Sequence, residues 1–144
     1  MVPASVSHKL LKIGEVASHS GLPVKTVRYY EEIGLLTPNV GRSEAGYRLF
    51  DVSVLSRLDF IKRAKSLGLT LQEIREILAI RDQGQLPCDE VKLHLEAKVE
   101  AIYEQIEALT VLKDELQQIL GHWQEHPTPG HHTPTICPNL QPDQ

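Results

Sequence analysis

The sequence predicts a mainly α-helical fold in which a winged helix-turn-helix precedes one long helix, and three observations predict it. Aromatic side chains make up only 5% of the 144 residues, and helix-forming residues dominate the second half of the chain. Two short amphipathic segments flank a Gly-Leu-Pro turn at residues 21 to 23, before a Pro- and Gly-containing stretch at residues 37 to 50. Residues 89 to 120 contain neither Gly nor Pro.

The chain is expected to divide into ranges that differ in composition. They are a flexible leader (1 to 10), a winged helix-turn-helix domain (11 to 81), a linker loop (82 to 88), the long helix (89 to 120) and a His- and Pro-rich tail (121 to 144). No segment is apolar for long enough to span a bilayer, and the N-terminus lacks the apolar core of a secretory signal. Two cysteines cannot build a disulfide framework, so a cytoplasmic protein with reduced thiols is expected.

The first two helices are predicted from apolar spacing and from the turn between them. Ile13, Val16 and Ala17 fall on one face of the first helix. Gly21 is expected to end this helix, because glycine readily adopts a left-handed backbone. Pro23 suits the first turn of the second helix, where its missing N–H would be unpaired in any case.

Residues 37 to 50 are predicted to form a β-hairpin, the wing. Pro and Gly break helical structure here, and the aromatic and apolar residues that follow favour strand. Arg42 is expected near the tip of the wing and Arg48 on its returning strand. The hairpin would therefore present two positive charges beside the helix-turn-helix.

Two further helices are predicted after the wing. Asp51 is expected to cap the first, and Gly68 to break it. Thr70 and Glu73 match the T-x-x-E capping box, which predicts the start of the next helix. The apolar face of the first of these helices includes Val54, Leu55, Leu58 and Ile61.

The long helix carries an apolar stripe and, opposite it, an acidic face. At 1.5 Å per residue, a helix over residues 89 to 120 is ~48 Å long, too long to bury its stripe against a small domain. A partner helix is needed, and a second copy of the chain is the simplest source. The stripe consists of Val91, Leu95, Val99, Ile102, Ile106, Leu109, Leu112, Leu116 and Ile119, and the acidic face of Glu100, Glu104, Glu107, Asp114 and Glu115.

The net charge of −4 conceals two halves of opposite charge. Residues 1 to 81 contain twelve Lys and Arg against eight Asp and Glu, a net charge of +4. Residues 82 to 144 contain three Lys and Arg against eleven Asp and Glu, a net charge of −8. The first half is therefore suited to face a polyanion such as nucleic acid.

Arg28, Tyr29 and Tyr30 are consecutive on the second helix, the element that enters the major groove in a winged helix-turn-helix. A guanidinium there can bind phosphates or a base edge, and a tyrosine hydroxyl can donate to a phosphate. The alternative is local packing, which the apolar spacing favours for Tyr30. For Arg28 and Tyr29 we favour DNA contact, because positive charge accumulates nearby at Lys25, Arg42, Arg48 and Arg63.

The segments IGEVASHSGLPVKTVRYYEEIGLL, R-x-x-x-G-Y-R-L-F and FIKRAKSLGLTLQEIREIL, in that order, resemble the MerR family of transcription regulators. The resemblance spans about residues 11 to 120. It implies a homodimer whose long helices pair as an antiparallel coiled coil. It also implies binding between promoter elements spaced too far apart for RNA polymerase, with distortion of that spacer on effector binding. The DNA contacts carried over from the family are Lys12, Thr26, Arg28, Tyr29, Tyr47 and Arg48, and Arg42 and Arg63 add positive charge.

Cys88 and Cys137, with histidines between them, are candidate metal ligands, since thiolate and imidazole bind zinc and softer ions. Alternatively, a lone cysteine can be a small buried residue and the tail a disordered end. In the metal-sensing branch of the family, a cysteine at the position of Cys88 completes a site at the other subunit's tail loop, and Cys137 resembles the second cysteine of that loop. His122 stands where divalent sensors have a cysteine, and an imidazole there favours zinc or cobalt over mercury or lead. Zinc is therefore the expected ion, with mercury, cobalt, lead and cadmium as alternatives. Weaker candidates are His126, His131 and His132, while His94 is interpreted as a flank of the coil.

Other functions are weighed against a metal-responsive regulator. A regulator of the same fold could sense an organic molecule or an oxidant, although an iron–sulfur cluster normally needs four cysteines. An enzyme is not expected, because the chain has no glycine-rich phosphate loop, nucleophile elbow or H-E-x-x-H motif. A coiled-coil adaptor would leave the basic wing and the Arg-Tyr-Tyr helix without a role.

Overall fold

The computed structural model describes residues 10 to 128 and 134 to 141. The described residues form five α-helices and a three-stranded sheet, which confirms the prediction of a mainly α-helical fold. The chain divides into two compact units, with the boundary between Leu95 and Glu96. No helix among the described residues is both long and apolar enough to cross a membrane.

Helices α1 (Ile13–Ser20) and α2 (Val24–Glu32) form the helix-turn-helix. Gly21 ends α1 with a φ of 74°, and its N–H donates to the carbonyl oxygen of Ala17 at 3.0 Å. This confirms the predicted left-handed glycine cap. Pro23 is the residue just before α2 rather than a residue of its first turn, so it fixes the entry of the chain into the helix.

The wing is part of a small antiparallel sheet in the order β1-β3-β2. The hairpin strands are β2 (Val40–Arg42) and β3 (Arg48–Asp51), and Arg42 pairs with Arg48. Strand β1 (Leu10–Leu11) lies on the other side of β3 and was not predicted from the sequence. Leu10 therefore belongs to the sheet and not to a flexible leader; residues 1 to 9 lie outside the described residues. A strand of two residues is too short to give a periodic signal.

Helices α3 (Val54–Ser66) and α4 (Leu71–Asp82) complete the first domain. Asp51 ends β3 rather than capping α3 directly, and its carboxylate accepts a hydrogen bond from the N–H of Ser53, the residue before α3. The predicted capping box of α4 is confirmed. The N–H of Glu73 donates to the Thr70 hydroxyl at 3.1 Å, and the N–H of Thr70 donates to the Glu73 carboxylate at 2.9 Å.

The hydrophobic core lies where the helix-turn-helix, the sheet and the α3–α4 pair meet. Its helical members recur at spacings of three or four residues, as the sequence predicts. Val27 and Tyr30 of α2 and Phe50 of the wing belong to the same core. The largest fully buried side chains are Phe50, Leu11, Leu35, Leu36, Leu58, Ile61, Ile74, Ile77, Val16, Val27 and Val54.

Helix α5 (Cys88–Gly121) has 34 residues and follows a loop over residues 83 to 87. It begins in the first unit and continues in the second. None of its residues is buried. From Val99 to Leu116 the side chains of its apolar stripe are about half exposed, and each has an exposed fraction between 49% and 64%.

Candidate nucleic-acid interface and candidate metal ligands

A groove of about 610 Å³ lies between the start of α1, the exposed side of α2 and the wing. Four basic side chains and one tyrosine that the sequence predicts as DNA contacts line it. We call these five residues the basic groove: Lys12, Arg28, Arg42, Tyr47 and Arg48. Three different elements contribute them, so the fold gathers residues that are up to 36 positions apart in the chain.

Lys12 connects the start of α1 to the wing. Its backbone N–H donates to the Glu15 carboxylate at 3.1 Å, which fixes the first turn of α1. Its ammonium nitrogen lies 6.0 Å from the centre of the Tyr47 ring, at the limit of a cation–π contact. Arg28 projects from α2 and is exposed. The groove thus presents exposed positive charge from the residue that precedes α1 and from α2.

The two arginines of the wing are held in place by different partners. Arg42 donates to the carbonyl oxygen of Gly46 at 3.1 Å, across the turn of the hairpin. Gly46 has a φ of 85°, a conformation that glycine adopts without steric cost. Arg48 forms an ion pair with Glu31 on α2, with 3.1 Å between its Nε atom and the carboxylate. This pair ties the wing to the helix-turn-helix and orients the Arg48 guanidinium.

The neighbouring tyrosines of α2 have different environments. Tyr29 is 49% exposed, whereas Tyr30 is only 9% exposed and belongs to the core. Their ring centres are 6.1 Å apart. Burial raises the pKa of the Tyr30 hydroxyl, and the nearby Tyr29 raises it further. The structure thus separates a surface tyrosine from a packing tyrosine.

Three predicted DNA contacts lie outside the basic groove. Thr26 is half-buried near the start of α2, Tyr29 is exposed on α2, and Arg63 is exposed on α3. None of the three is among the described residues that line the groove. Cationic side chains in a groove bind phosphates chiefly through charge, and the one acidic residue that lines this groove, Glu15, is engaged by the Lys12 N–H.

Cys88 is the first residue of α5 and is exposed. It lies at the edge of a cleft of about 630 Å³ within the first unit, whose walls are mainly apolar and include Phe60, Ile77 and Val91. Arg57 and Asp82 form a charged pair at the same cleft. The thiol is thus accessible beside an apolar surface.

In the second unit, His122 lines a cleft of about 550 Å³. Pro138 and Asn139, which follow Cys137, line the same cleft. The Nδ1 atom of His122 lies 2.9 Å from the carbonyl oxygen of Gln118. When Nδ1 carries the proton and donates it there, the Nε2 lone pair is left to bind a metal. Gln124 and Asn139 exchange two hydrogen bonds, at 2.9 and 3.0 Å. These bonds hold the turn after Cys137 against the segment that follows α5.

The donor types of the tail fit a metal that prefers nitrogen and sulfur ligands. Cys137 is half-buried, and its N–H donates to the side chain of Gln141 at 3.2 Å. His126 is exposed, and His131 and His132 lie outside the described residues. Among the described residues of the tail, no three candidate ligands lie within ligand distance of one another.

The described residues do bring together a set that the sequence reading missed, namely Glu76, Glu90 and His94. The sequence interpretation placed His94 on the flank of a coil. The structure instead places its imidazole among carboxylates from α4 and α5. The sequence indicates only one part of this arrangement. Glu90 and His94 are four residues apart, and this spacing puts them on one helix face.

Two family models match the chain and together cover residues 11 to 119. The model described as "MerR HTH family regulatory protein" matches residues 11 to 80. The model described as "MerR, DNA binding" matches residues 55 to 119. The matched ranges include the helix-turn-helix, the wing, α3, α4 and most of α5.

Individual relatives are similar over most of their length. A mercuric resistance operon regulatory protein of Bacillus cereus is 40% identical over 98 residues, which are 68% of this chain and 74% of that protein. The heavy metal-dependent transcription regulator 2 of Rhizobium meliloti is 34% identical over 113 residues, 78% of this chain and 76% of that protein. A crystal structure of a transcription regulator from Ralstonia metallidurans CH34 in complex with lead(II) superposes with a TM-score of 0.70, at 36% identity, over 82% of this chain and 91% of that one.

Proposed function

The chain belongs to the MerR family of transcriptional regulators, and from this premise we propose that it binds promoter DNA as a homodimer and responds to a bound divalent metal ion. Its relatives are regulators of transcription and not enzymes. The observation that carries the DNA-binding part is the basic groove, where side chains from α1, α2 and the wing converge. DNA binding also makes the cytoplasm the proposed place of action.

The apolar stripe of α5 supports the homodimer. Ile102, Ile106 and Leu109 are each at least half exposed in a single chain, and an isolated helix of this kind is poorly stabilised in water. Pairing two copies as an antiparallel coiled coil would bury both stripes. It would also hold two basic grooves at a fixed separation, as two-fold symmetric operators require.

On DNA, α2 would enter the major groove and the wing would follow the neighbouring backbone. Arg28 and Tyr29 are the proposed contacts of α2, and Tyr47 with Arg48 those of the wing. Lys12, Arg42, Thr26 and Arg63 would add contacts to phosphates. We propose further that the dimer distorts a promoter spacer so that RNA polymerase can engage both of its elements. Flexible pyrimidine–purine steps would lower the cost of that distortion.

Cys88, His122 and Cys137 are the proposed metal ligands, with Cys88 from one copy and the tail residues from the other. Two thiolates and one imidazole suit a tetrahedral ion such as zinc(II). The hydrogen bond from His122 to the Gln118 carbonyl would orient the imidazole. Replacement of one thiolate by an imidazole moves the preference toward zinc and away from mercury or lead. Mercury and lead are the metals named in the descriptions of two relatives.

A reporter assay tests the proposal. Transcription from the promoter beside the protein's own gene would be followed while zinc, cobalt, cadmium, lead and mercury salts are added singly. We expect at least one metal to change transcription, and both Cys88→Ser and His122→Gln to abolish that change. His19→Gln is the matched control, because His19 is an exposed histidine of α1 and is not a proposed ligand. An equal response from Cys88→Ser and the unaltered protein would refute the metal-sensing role.

The cleft beside Cys88 supports a second candidate effector, an organic molecule. Its volume of about 630 Å³ and its mainly apolar walls fall in the range of small-molecule sites. Under this alternative, the DNA-binding dimer is unchanged, but none of the metals would alter transcription. Widening the cleft with Phe60→Ala would then change the response to the organic effector and leave DNA binding intact.

A further inference from the structure

His94 lies at the junction of α4 and α5, with carboxylates on both sides of its ring. Its Nδ1 atom is 2.9 Å from an oxygen of Glu73. Its Nε2 atom is 3.2 Å from Glu90 and 3.7 Å from Glu76. The side chain is only 17% exposed, so these contacts form in a partly dehydrated corner of the first unit.

The two ring nitrogens have different roles. Nδ1 and Glu73 meet the geometry of a hydrogen bond, in which the carboxylate accepts the proton of Nδ1. Nε2 is buried and makes no hydrogen bond within the described part of the chain, although two carboxylates face it. A carboxylate on one ring nitrogen, with the other ring nitrogen open, is the arrangement that supports metal-bound histidine.

From this geometry we propose that Glu76, Glu90 and His94 form a binding site for a divalent transition-metal ion, oriented by Glu73. The ligand atoms of the three residues lie within 4.8 Å of one another. Ligands about 2.1 Å from a shared ion are roughly 3–4 Å apart, so a small closing movement completes the set. Glu76 is on the exposed side, where water can occupy the remaining coordination positions.

The charges at this corner favour a dication over a lone proton. Three carboxylates meet at His94, two from α4 and one from α5. A neutral imidazole leaves their mutual repulsion in place, and an imidazolium offsets only one charge. A divalent ion offsets two. One nitrogen and two oxygen donors suit zinc, cobalt or nickel, and make a harder site than thiolates do.

This site is independent of the thiols and of the metal-responsive function proposed above. An ion held here would bridge α4 and the first two turns of α5. It would thereby fasten the helix that follows the DNA-binding elements to the start of the long helix. Its expected effect is therefore on the rigidity of this junction.

Cobalt(II) binding to the full-length Cys88→Ser/Cys137→Ser protein tests the proposal, because that background lacks thiol ligands. Equilibrium dialysis should retain one cobalt per chain that gives no thiolate charge-transfer absorption. In this background, His94→Gln should lose that ion and Glu76→Gln should weaken its binding by about tenfold or more. His19→Gln should leave the ion bound.

Two results would overturn the site. One is a thiol-free protein that retains no cobalt at all. The other is a folded His94→Gln or Glu76→Gln variant with unchanged cobalt affinity, which would make His94 a structural ion-pair partner only. Glu76 is exposed, so its variant decides the matter even if His94→Gln does not fold. Neither result bears on the metal response of Cys88, which is measured by transcription in the protein with its thiols intact.

Discussion

Arg57 on α3 and Asp82 at the end of α4 form a bidentate ion pair, with Nη1–Oδ1 and Nη2–Oδ2 distances of 2.7 and 3.0 Å. The Arg57 side chain is only 10% exposed, and its Nε atom donates to the carbonyl oxygen of Leu35. One guanidinium thus joins α3, the end of α4 and the turn after α2. Because both residues of the pair line the cleft beside Cys88, the pair fixes the wall of a proposed effector region.

Asp82→Ala is expected to lower the free energy of unfolding by about 1–3 kcal/mol, because it removes the carboxylate that accepts from both Nη atoms of the enclosed guanidinium. Urea unfolding followed by circular dichroism measures the change. Asp114→Ala is the control, since Asp114 and its partner Lys113 are 64% and 61% exposed and such pairs contribute less than about 1 kcal/mol. Equal stability of the two variants would show that the Arg57–Asp82 pair does not stabilise the domain.

Arg28→Ala is expected to weaken binding to the promoter by about 1–3 kcal/mol, because an exposed guanidinium would be lost from the basic groove. Fluorescence anisotropy with a labelled promoter fragment measures the affinity at several salt concentrations. If Arg28 contacts a phosphate, the plot of log affinity against log salt concentration should also become less steep by about one unit. Lys113→Ala, a removal of positive charge from the exposed surface of α5, serves as the control. Unchanged affinity and slope for Arg28→Ala would remove this residue from the interface.

The elements that the sequence predicted are those governed by local chemistry. Thr70 and Glu73 satisfy each other's backbone N–H groups, a pattern that four consecutive residues determine. Gly21 likewise ends α1 through its own backbone freedom. The apolar spacing of α5 identified the long helix to within one residue at each end, because the stripe continues over many turns.

The features that the sequence did not predict depend on contacts between distant residues. Leu10 joins the sheet through Asp51, 41 positions away, and nothing in two consecutive leucines indicates a partner. His94 meets Glu73 across 21 positions, whereas the sequence predicts Glu73 only as part of the capping box and His94 only as a flank of the coil. The side chains that face each other depend on how α4 and α5 pack, and a single sequence does not specify this packing.

Ile106→Lys is expected to convert the dimer to a monomer at micromolar concentration, because it places a charge in the centre of the apolar stripe. Analytical ultracentrifugation measures the molecular mass. Ala97→Lys is the matched control: it adds the same charge to α5, but nine residues at about 100° each place Ala97 on the opposite side of the helix. A dimer of undiminished stability in Ile106→Lys would show that the stripe is not the dimer interface.

Tyr30→Phe is expected to reduce the loss of stability at alkaline pH. Burial raises the pKa of Tyr30 in the folded state, so folding favours the protonated hydroxyl. This contribution is complete below the unfolded pKa of about 10 and is lost as the pH rises through the higher folded value. Unfolding by urea at a series of pH values from about 9 to 12, with tyrosinate absorbance recorded in parallel, measures both effects. Tyr103→Phe is the control, because Tyr103 is exposed on α5 and its removal should leave the tyrosinate absorbance that appears at the highest pH unchanged.

Two results would contradict the prediction for Tyr30. One is that the absorbance appearing at the highest pH persists in Tyr30→Phe. The other is that Tyr30→Phe loses stability at alkaline pH as steeply as the unaltered protein does.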